Sequence, residues 1–224
     1  MSIFKSTQLC LKSLYYSIIL TWRNSSEFTS GLLFFLMLVS LFCLSMQAKL
    51  MPQLNLLWIA VIFANLLGLR DLFAADKEDG SLDIVLLQPR MALLFYIYSK
   101  LLRHILTNIL PIILIYPLAG VMLHLPLQII ITSAITCFIS SLSISFLGSL
   151  SAAINLMAKP SAFLNFIIIL PFSAPIFIFA LSTDTAVLQH NSSTVPILFL
   201  IALTLLFAII GPIGASLILR YVHD

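Results

Sequence analysis

Apolar residues fill long blocks of the chain, separated by short clusters of charge. The gaps between charges mark membrane helices, because an Arg, Lys or Asp at the centre of such a helix costs about 2.5–3.5 kcal/mol. Glu27 to Lys49 brackets 21 uncharged residues and Lys49 to Arg70 brackets 20, enough for one helix each. Arg103 to Lys159 brackets 55 residues. As one helix that stretch would run about 80 Å against a hydrocarbon core of about 30 Å, so it must fold back once. His124-Leu125-Pro126 is the natural reversal. Lys159 to Asp184 brackets 24 more, and the 35 residues between Asp184 and Arg220 hold a last helix after Gln189-His190-Asn191-Ser192-Ser193. The pattern predicts an all-α integral membrane protein, one transmembrane domain over 1–224, with six spans near 28–47, 54–69, 105–123, 128–154, 161–181 and 196–219.

Ahead of the first span, Phe4, Leu11, Leu14, Tyr15, Ile18 and Trp22 recur at helical spacing, with Lys5, Gln8, Lys12 and Ser13 elsewhere around the wheel. This reads as an interfacial helix, either an anchor or a lever against a cytoplasmic partner. The first long apolar run starts too late and is too long for a cleavable signal.

Composition agrees: 61% of 224 residues are hydrophobic and 8% charged, against about 25% charged in soluble domains. No length remains for a second folded domain, and the net charge of +3 matters less than its placement. Lys5, Lys12, Arg23, Arg70, Lys77, Arg90, Lys100, Arg103, Lys159 and Arg220 fall on one side of the six-span scheme and only Lys49 on the other. That asymmetry puts both termini in the cytoplasm.

Chemistry is sparse. The predicted spans carry no Asp, Glu, Lys or Arg in their central turns, which argues against an ion-coupled transporter. There is no phosphate loop, zincin motif or nucleophile elbow, so the chain is expected to be non-catalytic, with no metal and no nucleic-acid partner. Cys10, Cys43 and Cys137 lie far apart within apolar stretches, without metal or redox spacing. In the fourth span Ser133, Cys137, Ser141, Ser145 and Ser149 stand four apart, on one helix face, followed by Ala153. Such a ladder is a tight packing seam, or a polar stripe facing a conduit or a second copy. Pro111, Pro117, Pro171, Pro175 and Pro212 fall inside spans. Pro171 and Pro175, one turn apart, act as fixed kinks or as hinges.

The segment from Arg70 to Leu102 holds five of the eight acidic residues: Asp71, Asp76, Glu78, Asp79 and Asp83. After the charged turn Asp76-Lys77-Glu78-Asp79, Gly80 permits a reversal. Ser81-Leu82-Asp83 then starts a short apolar helix, Ile84-Val85-Leu86-Leu87, that Pro89 stops. Asp79 or Ser81 can cap its free amides, and Asp83 suits the positive end of its dipole. A short helix with acids at one end and a free apolar face would serve as a docking knob for a motor subunit; the bland alternative is a solvated acidic loop.

Lys77-Glu78-Asp79-Gly80-Ser81-Leu82-Asp83, with Leu86, Leu87 and Pro89, resembles the acid-x-G-[ST]-L-[DE]-x-x-L-x-x-P pattern between the second and third spans of ABC-2 type export permeases. Leu86 and Leu87 straddle the usual leucine position, and Gln88 directly precedes the proline. Within that superfamily the chain resembles the haem exporter protein B (CcmB) family of cytochrome c maturation. The resemblance rests on size and on Arg23-x-Ser25-x-Glu27, Leu72-Phe73 before the loop box, and Leu170-Pro171 with Pro175, Ile178, Phe179 and Ala180.

The resemblance implies a permease in the bacterial inner membrane, present as a homodimer with two copies of a separate cytoplasmic ABC ATPase (A-type). Further maturation subunits (C- and D-type) would join it. ATP is then used on the partner subunit, and the loop helix couples its hydrolysis to spans two and three. The work is haem export or release of the haem-loaded periplasmic chaperone, with haem as substrate rather than resident cofactor. The alternatives are an assembly scaffold that performs no transport, or an ABC-2 permease for a lipid or drug. Should haem be ligated here, His104, His124, His190 and His223 are the available side chains, with His104 and His223 expected at the cytoplasmic edge.

Overall fold

A computed structural model describes residues 25–45, 50–69, 72–157 and 162–221, and these form helices with no strand among them. In chain order they are α1 (Ser25–Ser45), α2 (Leu50–Gly68), α3 (Ala74–Glu78), α4 (Ser81–Leu86) and α5 (Arg90–His104). A π-helical turn, Ile105–Ile109, joins α5 to α6 (Leu110–Met122), and α7 (Leu127–Met157), α8 (Ala162–Leu188) and α9 (Thr194–Tyr221) follow. The stretch 1–24 that reads as an interfacial helix, with Lys49, Arg70, Asp71, Lys159, Pro160 and His223, lies outside the described residues.

Helix is the only open solution for a lipid-embedded segment, since each backbone amide must bond within its own segment. Among the described residues four helical stretches are long and apolar enough to cross a membrane: Arg90–Met122, Leu127–Leu156, Ile167–Leu188 and Thr194–Tyr221. Ser30–Leu44 and Gln53–Gly68 are shorter apolar stretches within α1 and α2.

Two helices depart from the expected limits. The expected third span, 105–123, is the C-terminal part of a helical stretch that already starts at Arg90. The expected fifth span, 161–181, continues to Leu188 and takes Asp184 inside. Lys100, which falls inside the longer helix, and Asp184, which served as a bracketing charge, are both buried against partners from distant segments.

The helices pack at places where side chains shrink. At Gly211 of α9 a Cβ would lie 2.0 Å from the Phe146 carbonyl oxygen of α7, so these backbones approach as closely as glycine allows. Gly148 of α7 instead makes room for the Leu69 side chain. Ser143 of α7 and Thr204 of α9 share a 2.6 Å hydrogen bond across that interface.

Prolines within helices deprive the carbonyl four residues earlier of its donor. Pro111 follows the π-helical turn, where the ladder has already widened to make room for its ring. Pro212 frees the Ala208 carbonyl, and the Tyr98 hydroxyl of α5 donates to it at 2.8 Å. α8 runs through Pro171 and Pro175 without ending.

Candidate functional site

α3 and α4 form a bent pair joined at Gly80, whose φ of 75° is left-handed. Gly80 ends α3 by donating to the Lys77 carbonyl, and α4 begins at the next residue, so one glycine serves both helices. The Asp79 carboxylate accepts from the Ser81 backbone N–H at 2.9 Å, the expected cap. Hydrogen bonds from Ser81 hold the Asp79 carboxyl below its ordinary value of 3.8. A lowered carboxyl stabilises the fold above its unfolded value and loses that effect as pH falls through the lowered one, so at neutral pH the Asp79 bond to the first amide of α4 is in place. Pro89 follows α4 and precedes α5.

One face of α4 is anchored. Leu82 is buried in the core with Phe73 and Leu93, and Val85 and Leu86 pack against the same cluster. The other face points away: Ile84 and Leu87 are 65% and 78% exposed, beside exposed Glu78, Asp79, Asp83 and Pro89. Of the two leucines that straddle the family position, Leu86 is the packed one.

Asp76 departs from the docking-knob expectation, because it faces inward. Lys100 of α5 lies 2.7 and 2.5 Å from its two carboxylate oxygens, and the Tyr96 hydroxyl donates to it. Two further ties hold the pair to other helices. Lys77 Nζ donates to the Leu156 carbonyl at the end of α7 over 2.6 Å, filling one of the acceptors a helix C-terminus leaves open. Arg220, at the end of α9, donates to the Gln88 carbonyl at 2.7 Å. The loop is therefore fastened to α5, α7 and α9 at once.

The small-residue ladder lies inside the bundle. Ser133, Cys137, Ser141, Ser145 and Ser149 are all fully buried within the single chain. Asn65 of α2 donates to Ser141 at 3.0 Å, and Ser133 donates to Asp184 at 2.6 Å. Pro171 is exposed on α8 and Pro175 half-buried.

Among the histidines, His104 is buried in the bundle rather than placed at its edge. His124 and His190 do backbone work. Both adopt left-handed φ, 55° and 56°, two residues past the ends of α6 and α8. Leu125 N–H bonds Gly120 O and His124 N–H bonds Val121 O; Asn191 and His190 repeat the pattern on Ala186 and Val187. Each histidine thus occupies the terminating position of a Schellman motif.

Sequence reasoning missed Asp184, Trp58 and Lys100. Asp184 accepts from the Trp58 indole N–H at 2.8 Å and is fully buried. The available signal was periodicity: Asp184 falls four residues after Ala180 and eight after Ile176, on the face of α8 that turns inward.

These observations define the class: a multi-pass, all-helical membrane protein with a small, outward-facing two-helix element at one end of the bundle. Residues 9–221 match the family model described as CcmB protein. The chain is 34% identical over 199 residues to heme exporter protein B of Bradyrhizobium diazoefficiens, covering 87% of this chain and 89% of that protein. It is 32% identical over 202 residues to heme exporter protein B of Pseudomonas aeruginosa, with 88% and 90% covered. The corresponding protein of Rhodobacter capsulatus is 29% identical over 202 residues, with 88% and 92% covered. The chain belongs to the CcmB family.

Proposed function

We propose that the chain is the membrane permease subunit of an ABC-type complex for cytochrome c biogenesis. It couples ATP hydrolysis by a separate ATPase subunit to haem export or to release of a haem-loaded periplasmic chaperone. The observation that carries this reading is the α3–α4 pair, with acids and Ile84 and Leu87 facing outward while Asp76, Lys77 and Gln88 are tied to α5, α7 and α9. A motor subunit that grips the outer face moves all three helices through those ties.

In this reading α1 and α2 are the first two of six spans, residues 1–24 form an interfacial helix, and both termini are cytoplasmic in a bacterial inner membrane. The subunit works as a homodimer with A-type ATPases and C- and D-type membrane partners, and carries no catalytic residue of its own. Pro171 and Pro175 are the places where α8 changes angle, and the buried seam along α7 keeps the bundle one body as it does so.

The test is to purify the tagged chain from native membranes in mild detergent, identify the co-purifying chains and assay ATP hydrolysis. Reversing Glu78, Asp79 and Asp83 to Lys should release the ATPase and abolish cytochrome c maturation while leaving insertion intact. An ATPase that stays bound to the triple variant would overturn the docking role. Maturation that survives a hydrolysis-dead ATPase would make the chain a scaffold instead.

A further inference from the structure

The long helical stretch Arg90–Met122 belongs to two different packing groups. Leu93, Ile97 and Leu101 of its α5 half share one hydrophobic core with Phe73 and Leu82 of the loop and Ala215 of α9. Ile112, Tyr116 and Ala119 of its α6 half share another with Phe35 of α1 and Trp58 of α2. The π-helical turn Ile105–Ile109 lies between the two, so the helix changes partners where its hydrogen-bond ladder is irregular. Pro111, just beyond, brings no N–H to the Thr107 carbonyl, which interrupts the ladder a second time. Helices bend most readily at such points.

Asn108, the buried polar residue of the turn, sits in a slot between α1 and α2. A Cβ on Gly31 would lie 2.2 Å from its Oδ1, and one on Gly68 would lie 2.3 Å from its Nδ2, so two glycines make the slot. The bonds it makes there are poor. Nδ2 lies 3.5 Å from the Ala64 carbonyl, the outer limit of a hydrogen bond, and Oδ1 has no hydrogen-bond partner among the described residues. His104 Nε2, just before the turn, is buried and unpartnered too, as are Asn65 Oδ1 of α2 and Ser140 Oγ of α7, near the divide between the two cores. Buried polar groups are nearly always satisfied. Four unmade bonds near one divide mark an arrangement that the bundle can leave for another.

We propose that the π-helical turn Ile105–Ile109 is the hinge on which α5 swings, together with α3 and α4, against α6 and α1. Lys100 to Asp76 and Leu93 to Leu82 make the loop and α5 one lever. α6 stays with α1 through the second core. α7, continuous from Leu127 to Met157, crosses both cores and is the spine against which the lever moves. The Tyr98 hydroxyl on the Ala208 carbonyl takes α9 along with α5. This inference rests on the coupling role proposed above and deepens it: the ATPase supplies the push, and the turn decides which half of the long helix yields.

The test measures distances between spin labels in the complex purified with its ATPase, labelled copies being diluted with unlabelled ones and Cys10, Cys43 and Cys137 replaced by Ala. One pair, Phe95→Cys with Ile135→Cys, spans the hinge; the other, Leu118→Cys with Ile135→Cys, lies on one side of it, all at exposed positions. ATP should shift the first distance by several ångströms and leave the second where it was. Deleting Leu106 removes the extra residue of the turn and should abolish the shift while the ATPase stays bound. Asn108→Leu, similar in shape and without the unpaired acceptor, should melt at or above the wild-type temperature yet lose most of the shift and of cytochrome c maturation, a split that a merely structural residue would not give. The two variants act differently, so a folding defect in one leaves the other to decide. Equal shifts in both pairs, no shift while ATP is hydrolysed, or an undiminished shift in either variant that folds would overturn the hinge and leave the coupling role standing. A preparation in which no ATPase is bound would overturn the coupling role, and the hinge with it.

Discussion

The indole N–H of Trp58 donates to the buried carboxylate of Asp184 over 2.8 Å, joining residues 126 positions apart. Ser133 donates to the other oxygen, so one carboxylate ties α2, α7 and α8. Asp184→Leu leaves two buried donors unpaired, each worth about 1–3 kcal/mol. Asp184→Asn keeps an acceptor for one of them. Melting in detergent should therefore rank wild type above Asp184→Asn and that above Asp184→Leu. Trp58→Phe should add less to Asp184→Leu than it costs alone; full additivity would show that the bond carries no energy.

A second tie lies at the loop end. Lys100 and Asp76 have side chains only 10% and 15% exposed, so removing one charge strands the other in a poorly solvated place. Breaking such a buried pair costs about 3–5 kcal/mol. Lys100→Met should detach α3 and α4 from α5, read as faster proteolysis between Lys77 and Met91. Exchanging the charges, Asp76→Lys with Lys100→Asp, should restore part of the protection. Protection unchanged in Lys100→Met would mean that Leu82 and Phe73 alone hold the loop.

What the residue pattern disclosed and what it hid divide along sequence distance. The turn at Gly80, the Asp79 cap and the stop at Pro89 were legible because each is decided by neighbours within three residues. Helix limits marked by charge failed where the bracketing Asp184, and Lys100 within the helix that begins at Arg90, are buried in pairs, because a charge ends a span only while it is unpaired. Their partners Asp76, Trp58 and Ser133 lie 24, 126 and 51 residues away. The same reasoning put Asp76 among the docking acids, whereas among the described acids of the loop it turns inward and Glu78, Asp79 and Asp83 face outward.

His124 and His190 can be separated from haem chemistry by one substitution each. Their left-handed φ costs a non-glycine residue about 1–2 kcal/mol, part of which glycine gives back through its freer unfolded chain. His124→Gly and His190→Gly should melt at or above the wild-type temperature with cytochrome c maturation unchanged. A variant that melts normally but no longer matures cytochrome c would assign its imidazole a ligand role.

Two glycines of the bundle differ in what a methyl group would strike. At Gly211 the obstacle is the Phe146 backbone carbonyl at 2.0 Å, which can move only with α7 itself. At Gly148 the nearest atoms belong to the Leu69 side chain, which can change rotamer. Overpacking costs about 1–3 kcal/mol, so Gly211→Ala should lie at the upper end and Gly148→Ala at the lower. Equal melting temperatures would mean that α7 and α9 slide apart freely.

Transmission from the loop to the helices rests on Lys77 to the Leu156 carbonyl and Arg220 to the Gln88 carbonyl. Neither side chain belongs to the outward face of Ile84, Leu87, Glu78, Asp79 and Asp83, so docking and transmission are separable by mutation. Lys77→Met and Arg220→Met should keep the ATPase bound, yet lower cytochrome c maturation, and the double variant should fall further than either. Each bond has a charged donor but lies at the solvent-exposed surface, so it is worth about 0.5–1 kcal/mol, enough to shift a two-state helix equilibrium about two- to fivefold. Loss of the ATPase from these variants would show that the ties shape the docking face instead. Normal maturation in the double variant would leave Leu82, packed beneath α4, as the route by which the push reaches the bundle.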